Sequence, residues 1–260
     1  MTVTWSYGGT ALSTYGVVTK IDDYLDMPER RGNNIAMPFR HGSLFAPKFY
    51  DERKITIGMA IFSNSSSDQD ATFDAMHVKF SPLQEQTLSY TRADASVYNA
   101  QASLDVPMQV ERVHDVFAWV VLEFTLSEPF FRSAVETTDS ATIDANPTTD
   151  LVVTNNGTVE ERDPKITLAG PLTNVTITNV TNGASLTYTG AIASSDTVVI
   201  ETVDGEYTAT LNGVTNVIGN VSHSGSSALM VFNVGANSLS VASDVTTTGE
   251  VRVNFYPPFL

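Results

Sequence analysis

The sequence predicts a mainly β chain in two domains, the first carrying one α-helix and the second built as an antiparallel β-sandwich. Three observations predict it. Short Val/Ile/Thr/Tyr runs recur throughout, and in the second half two-residue turn signals separate them. Only one stretch, from about Asp70 to Phe80, has helical spacing. Composition also breaks mid-chain: residues 1–135 hold 11 Lys/Arg and 16 Asp/Glu, whereas residues 136–260 hold 3 and 13. The expected domains are therefore 1–135 and 136–260, sizes that each support a core of their own.

In order, Val3–Tyr7 alternates as a strand, Gly8-Gly9 turns, and a second run passes through Tyr15-Gly16-Val17-Val18. Residues 21–40 are irregular, with Pro28, Gly32, Asn33 and Asn34 punctuating a turn between extended segments. Arg40–Gly58 is the densest charge cluster and runs into a short strand at Ile55-Thr56-Ile57, followed by the apolar Met59-Ala60-Ile61-Phe62. Polar capping residues 63–70 precede the helix, whose stripe Phe73, Met76, Phe80 and Leu83 ends at Pro82. Strand runs follow at 87–92, 97–104 and 106–113. The longest, Val116–Leu126, is apolar enough for a central strand covered on both faces. Ala134–Asp150, rich in Thr, Asp, Ser and Asn with Pro147, reads as the linker.

In the second half the turn signals are Asn156-Gly157, Asn182-Gly183, Asp204-Gly205 and Asn212-Gly213. Between and beyond them lie strands at 165–168, 174–179, 185–188, 197–201, 207–211, 228–232, 238–241 and 250–256, with no helix.

Little in the chain points to chemistry. It has no cysteine, which removes disulfides, thiolate metal sites and thiol nucleophiles. His41, His77, His114 and His223 have no ligand spacing, so no metal or other cofactor is expected. No nucleophile elbow, phosphate-binding glycine loop or calcium loop is present, and the adjacent pairs Asp22-Asp23 and Glu160-Glu161 would point to opposite faces of a strand. An enzyme is not expected, although a hydrolase with two carboxylates converging from different strands stays open. The net charge of −15 argues against nucleic-acid affinity. No apolar run reaches the roughly 18 residues of a membrane span, so membrane insertion is not expected. The N-terminus lacks a signal-peptide pattern, which implies a chain made soluble in the cytoplasm, with any export by cell lysis or by a route the sequence does not show.

On composition, Arg40–Gly58 reads either as a solvated hairpin or as an arm that binds a neighbouring subunit. Here the order of short motifs carries more than any one of them. Thr14-Tyr15-Gly16, Arg30-Arg31-Gly32, Arg40-His41-Gly42 and the Tyr50–Ile57 strand precede the helix, and Glu128-Pro129-Phe130-Phe131 closes the first half. Asp163-Pro164-Lys165-Ile166, Ser195–Ile200 and Val234-Gly235-Ala236-Asn237-Ser238-Leu239 follow in the second. In this order the chain resembles the distal tail proteins of long, flexible-tailed bacteriophages over nearly its whole length, with Ser195 and Val234 where that family usually has Gly and Pro.

The resemblance implies an N-terminal β-sandwich or split-barrel domain with one helix and an extended β-hairpin arm, followed by a galectin-like sandwich. It implies a structural virion protein of the tail tip: a homohexameric ring between the tail tube protein and the tail-associated hub protein, with DNA passing through the lumen. The arm would span about residues 28–54, with Arg40, Lys48, Tyr50, Asp51, Arg53 and Lys54 contacting the neighbouring subunit. The C-terminal sandwich would dock receptor-binding proteins or a host cell-wall saccharide. If instead it is mainly a carbohydrate- or receptor-binding module, aromatics such as Tyr188, Tyr207 or Phe232 should group on an exposed face.

Overall fold

The computed structural model describes residues 3–37, 39–46, 48–81, 83–143, 148–203, 205–225, 229–244 and 248–260. Pro82, Pro147, Asp204 and Ala228, each part of an expected boundary, turn or strand, lie outside them. The chain divides into two compact units, one running through Ala134 and including Leu260, the other Val135–Phe259. Both are antiparallel and mainly β, as expected, and among the described residues there is one α-helix.

In the first unit the elements are β1 (Thr4–Tyr7), β2 (Thr10–Ala11), β3 (Val17–Asp22), β4 (Arg30–Arg31), β5 (Ile35–Ala36), β6 (Ser43–Leu44), β7 (Phe49–Tyr50), β8 (Arg53–Phe62), α1 (Ser66–Phe80), β9 (Gln86–Thr91), β10 (Val97–Ala102), β11 (Gln109–His114), β12 (Phe117–Leu126) and β13 (Phe131–Ser133). One sheet runs β2-β1-β9-β10-β13 and the other β11-β12-β8-β3. The longest pairing joins β8 to β12 in ten rungs from Arg53↔Leu126 to Phe62↔Phe117. Alternation then sends Ile55, Ile57, Met59 and Ile61 inward with Leu122, Phe124 and Leu126, all fully buried.

Two expectations fail here. β8 spans ten residues and starts at Arg53, so Arg53 and Lys54 belong to the strand while Asp51 and Glu52 precede it. β12 is not covered on both faces: Trp119 is 40% exposed, and with Phe117 and Phe62 it forms an aromatic row on the outer face. Its apolar composition had hidden an ordinary two-sided alternation. The helix begins four residues before its expected start, because the Ser65 hydroxyl caps it by accepting from the Asp68 N–H at 3.1 Å. Phe73, Met76 and Phe80 are buried as predicted, but Leu83 lies past the helix end and is fully exposed.

The second unit contains β14 (Thr137–Ile143), β15 (Thr149–Asn155), β16 (Lys165–Ala169), β17 (Leu172–Asn179), β18 (Ser185–Ile192), β19 (Thr197–Val203), β20 (Glu206–Leu211), β21 (Thr215–Asn216), β22 (Val221–Ser224), β23 (Gly235–Ala242) and β24 (Gly249–Phe255). They form two sheets, β14-β24-β16-β19-β20-β21 and β15-β23-β17-β18-β22. Their inner faces share one core that includes Val153, Leu168, Ile177, Leu186, Val198, Phe232, Val241 and Val253. The expected linker is instead largely strand: β14 pairs with β24 over seven rungs. The expected strand ending at Phe232 is, over its described residues 229–232, a buried segment with a single bridge, Glu161↔Phe232. Asn212-Gly213 forms the predicted tight turn, with φ of 52° and 69°.

Candidate functional site: the 30–50 hairpin and its base

After β3 the chain leaves the first unit's sheets and returns only at β8. The intervening residues form a hairpin held by two short ladders, Arg30↔Tyr50 with Arg31↔Phe49, and Ile35↔Leu44 with Ala36↔Ser43. Near the tip Phe39 and Gly42 take left-handed φ of 59° and 96°. The Arg40 N–H donates to the Met37 carbonyl at 3.4 Å.

The root of the hairpin is well tied. Tyr50 is half-buried, edge-on to Phe130 at 5.6 Å, with the Arg30 guanidinium 5.6 Å from its ring centre. The Asp51 N–H donates to the Glu29 carbonyl at 2.8 Å, and the Asp51 carboxylate accepts from the Glu52 N–H at 3.0 Å. Arg53 faces inward at the head of β8 and is only 3% exposed. Its Nη2 donates to the carbonyls of Asp23, Tyr24 and Asp26 at 3.1, 2.7 and 2.7 Å, and its guanidinium lies 5.8 Å from the Phe131 ring centre. Burial lowers its pKa from the usual range, against the pull of Tyr90, Asp26 and Asp23. Lys54 points the other way and pairs with Glu123 on β12 at 3.4 Å.

The six residues expected in the arm therefore separate into two groups. Arg53 and Lys54 lie in β8 and not on the hairpin: the inward alternation of β8 begins at Arg53, so one side chain locks the 23–26 turn and the other lies on the sheet's outer face. Tyr50 and Asp51 form the hairpin root, while Arg40 and Lys48 are exposed on the hairpin proper.

Sequence reasoning missed the apolar side of this hairpin. Ile35, Phe39, Leu44, Phe45 and Phe49 are all more than half exposed, with Phe39 at 107%. Between Arg30 and Tyr50 there are four Lys/Arg and no Asp/Glu, on a chain of net charge −15. The signal was present: a turn-rich stretch carrying large apolar residues with no acidic neighbours.

At the root, a recess of about 510 Å³ is lined by the acidic Asp23, Asp26, Glu29, Asp51 and Glu52, by the basic Arg53 and Lys54, and by Met27 and Pro28. Carboxylates do converge here, but all five residues are exposed. Among the described residues no group of three or more His, Asp or Glu could hold a metal ion. The aromatics of the saccharide reading do not group on a surface: Tyr188 and Phe232 are buried, and only Tyr207 is partly exposed.

No protein-family profile and no curated protein matches the chain. Among solved structures it is similar to the Dit protein (gp 19.1) of phage SPP1, described as a paradigm of the hub adsorption apparatus in phages infecting Gram-positive hosts. That likeness has a TM-score of 0.72 at 12% identity and covers 100% of both chains. A weaker likeness, TM-score 0.47 at 9% identity over 100% of both chains, is to the phage P2 baseplate in its activated conformation with Ca. The fold of this chain is that of the SPP1 Dit protein.

Proposed function

We propose that the chain is a structural subunit of a phage tail tip, assembled head to tail into a closed ring, most simply a homohexamer, by the 30–50 hairpin. The observation that carries this reading is the hairpin itself: it is held extended by two ladders yet leaves Ile35, Phe39, Leu44, Phe45 and Phe49 uncovered. An apolar surface of that kind is costly in water unless another molecule covers it. The full-length fold likeness to SPP1 Dit supports a tail-tip setting. A hairpin on one copy seated against a different surface of the next is a heterologous contact, which makes a ring when the rotation closes. The four-stranded sheet ends in edge strands β3 and β11, so each copy also offers two unlike edges to its neighbours.

In this role the ring joins the tail tube protein to the tail-associated hub protein in the virion, and DNA passes through its lumen without being bound. Acidic side chains facing the lumen would repel phosphate and keep the passage free of adhesion. The C-terminal sandwich would dock receptor-binding proteins or a cell-wall saccharide.

Native mass measurement with electron microscopy tests the reading. Closed rings of about six times the 28.1 kDa chain are expected. A protein that stays monomeric at high concentration, and also with tail tube protein present, overturns it.

A further inference from the structure

The chain has three Asn-Gly pairs, Asn156-Gly157, Asn182-Gly183 and Asn212-Gly213, all in the second unit. Such a pair carries a chemistry of its own. A glycine backbone nitrogen, unhindered by a side chain, attacks the preceding asparagine Cγ once it has lost its proton to hydroxide, so access to that N–H governs the reaction. The fold treats the three pairs differently.

Two are shielded. The buried Gly157 N–H donates at 2.9 Å to Asn155 Oδ1, on a side chain that is 0% exposed and also donates to the Val159 and Phe232 carbonyls. The backbone there is packed so closely that a Cβ on Gly157 would lie 2.2 Å from the Pro258 carbonyl oxygen. At the second pair the Gly183 N–H donates to the Asn179 carbonyl at 2.7 Å, while Asn182 Oδ1 accepts from the Ala184 N–H at 3.0 Å and Nδ2 donates to the Val231 carbonyl at 2.9 Å. Both must open locally before attack begins.

The third pair is set up differently. Gly213 is exposed, its N–H has no hydrogen-bond partner among the described residues, and a Cβ placed on it would meet nothing within 4 Å. Asn212 Oδ1 accepts from the Thr197 N–H at 2.9 Å, and Nδ2 donates to Asp196 Oδ1 at 2.9 Å. The first contact polarises the amide and stands where negative charge develops as Cγ is attacked. The nucleophile is free and the carbonyl is activated.

We infer that Asn212-Gly213 is a site of spontaneous covalent modification, converting to aspartate or isoaspartate at position 212, and that the new carboxylate weakens the tie to Asp196. The deprotonated Gly213 nitrogen bonds to Asn212 Cγ, and the Cγ–Nδ2 bond breaks. Ammonia leaves with a proton taken from water, which restores the hydroxide. Water then opens the five-membered imide at either carbonyl. The amide that donated to Asp196 becomes a carboxylate facing it, so a hydrogen bond is replaced by like charges at the junction of the 193–196 and 211–214 turns.

Peptide mapping by mass spectrometry, with fragmentation that separates aspartate from isoaspartate, tests the site. In the full chain held folded in mildly alkaline buffer, position 212 should convert at least about tenfold faster than 156 or 182, the factor that one well-made hydrogen bond is worth. In urea the three should convert at similar rates. Conversion of 156 or 182 as fast as 212 in the folded chain overturns the inference, as does a position 212 that stays intact when folded and converts only in urea. The Asn212→Asp variant tests the consequence: its unfolding midpoint should fall by about 2–4 °C, and Asp196→Asn in the same chain should restore most of it. An unchanged midpoint overturns the weakening.

Discussion

The second unit's surface loops and the first unit's hairpin handle the same difficulty, irregular backbone outside a sheet, in opposite ways. In the sandwich, buried asparagines serve the loops. Asn155 Nδ2 donates to the Val159 carbonyl at 2.8 Å while its Oδ1 accepts from the Gly157 N–H at 2.9 Å. Asn179 and Asn182 both donate to the Val231 carbonyl, at 2.8 and 2.9 Å, and Asn237 donates to the carbonyls of Asn233 and Gly235 at 2.8 and 3.0 Å. These contacts hold the segment ending at Phe232 against the core without a strand ladder. The hairpin has two two-rung ladders, and its large apolar side chains face outward. The sandwich loops are explained by the fold that contains them, whereas the large apolar side chains of the hairpin stay exposed in the single copy.

The comparison breaks first if the sandwich loop segment is not core. Phe232 is fully buried and stacks on Phe255 at 5.7 Å, so Phe232→Ala should destabilise the protein by about 3–5 kcal/mol in denaturant unfolding. A loss under about 1 kcal/mol would mean this segment is as loosely held as the hairpin.

The hairpin root is the next test. Arg53→Met removes the donor shared by three carbonyls and should cost about 2–3 kcal/mol. Reversing this charge is thus a stability experiment and no probe of an interface. Cleavage within residues 23–30 by added protease should rise with it.

Some of this was legible in the sequence and some was not, for identifiable reasons. The helix, the β8–β12 core and the Asn-Gly turn at 212–213 follow from periodicity and turn chemistry. β14 did not, because Thr137–Ile143 is an edge strand whose largely polar residues give no clear apolar alternation, although it pairs with β24 over seven rungs. Arg53 was misplaced because a charge beside other charges reads as solvated. Only three-dimensional packing brings the Asp23, Tyr24 and Asp26 carbonyls to it. Arg40 and Lys48 were legible as exposed, but the recess at the hairpin root joins residues nearly thirty positions apart.

A smaller effect separates the units by pH. Burial raises the Tyr7 and Tyr90 pKa values in the first unit, with Glu85 adding to the rise at Tyr7. A raised tyrosine pKa means the folded state keeps a proton that the unfolded state releases. The associated stability is complete below the unfolded value of about 10 and is lost as pH climbs through the folded value. Tyr7→Phe gives up the hydroxyl's 3.3 Å bond to the Ala102 carbonyl, a cost of about 1 kcal/mol at neutral pH, and should flatten the alkaline loss. Unfolding curves between neutral pH and pH above 10 read both.

The smallest effect on the folded monomer belongs to the tip. Phe39→Ser with Phe45→Ser should change unfolding by no more than about 0.5 kcal/mol, because both rings are exposed, yet assembly should be lost. A large stability change would show that these rings pack within one copy.

The most direct test replaces residues 32–48 with a two-residue Asn-Gly turn, keeping the Arg31↔Phe49 rung as its base. Native mass measurement of this chain beside the unaltered one should give a folded monomer for the first and closed rings for the second, with matching unfolding curves. Rings from the shortened chain would contradict the account.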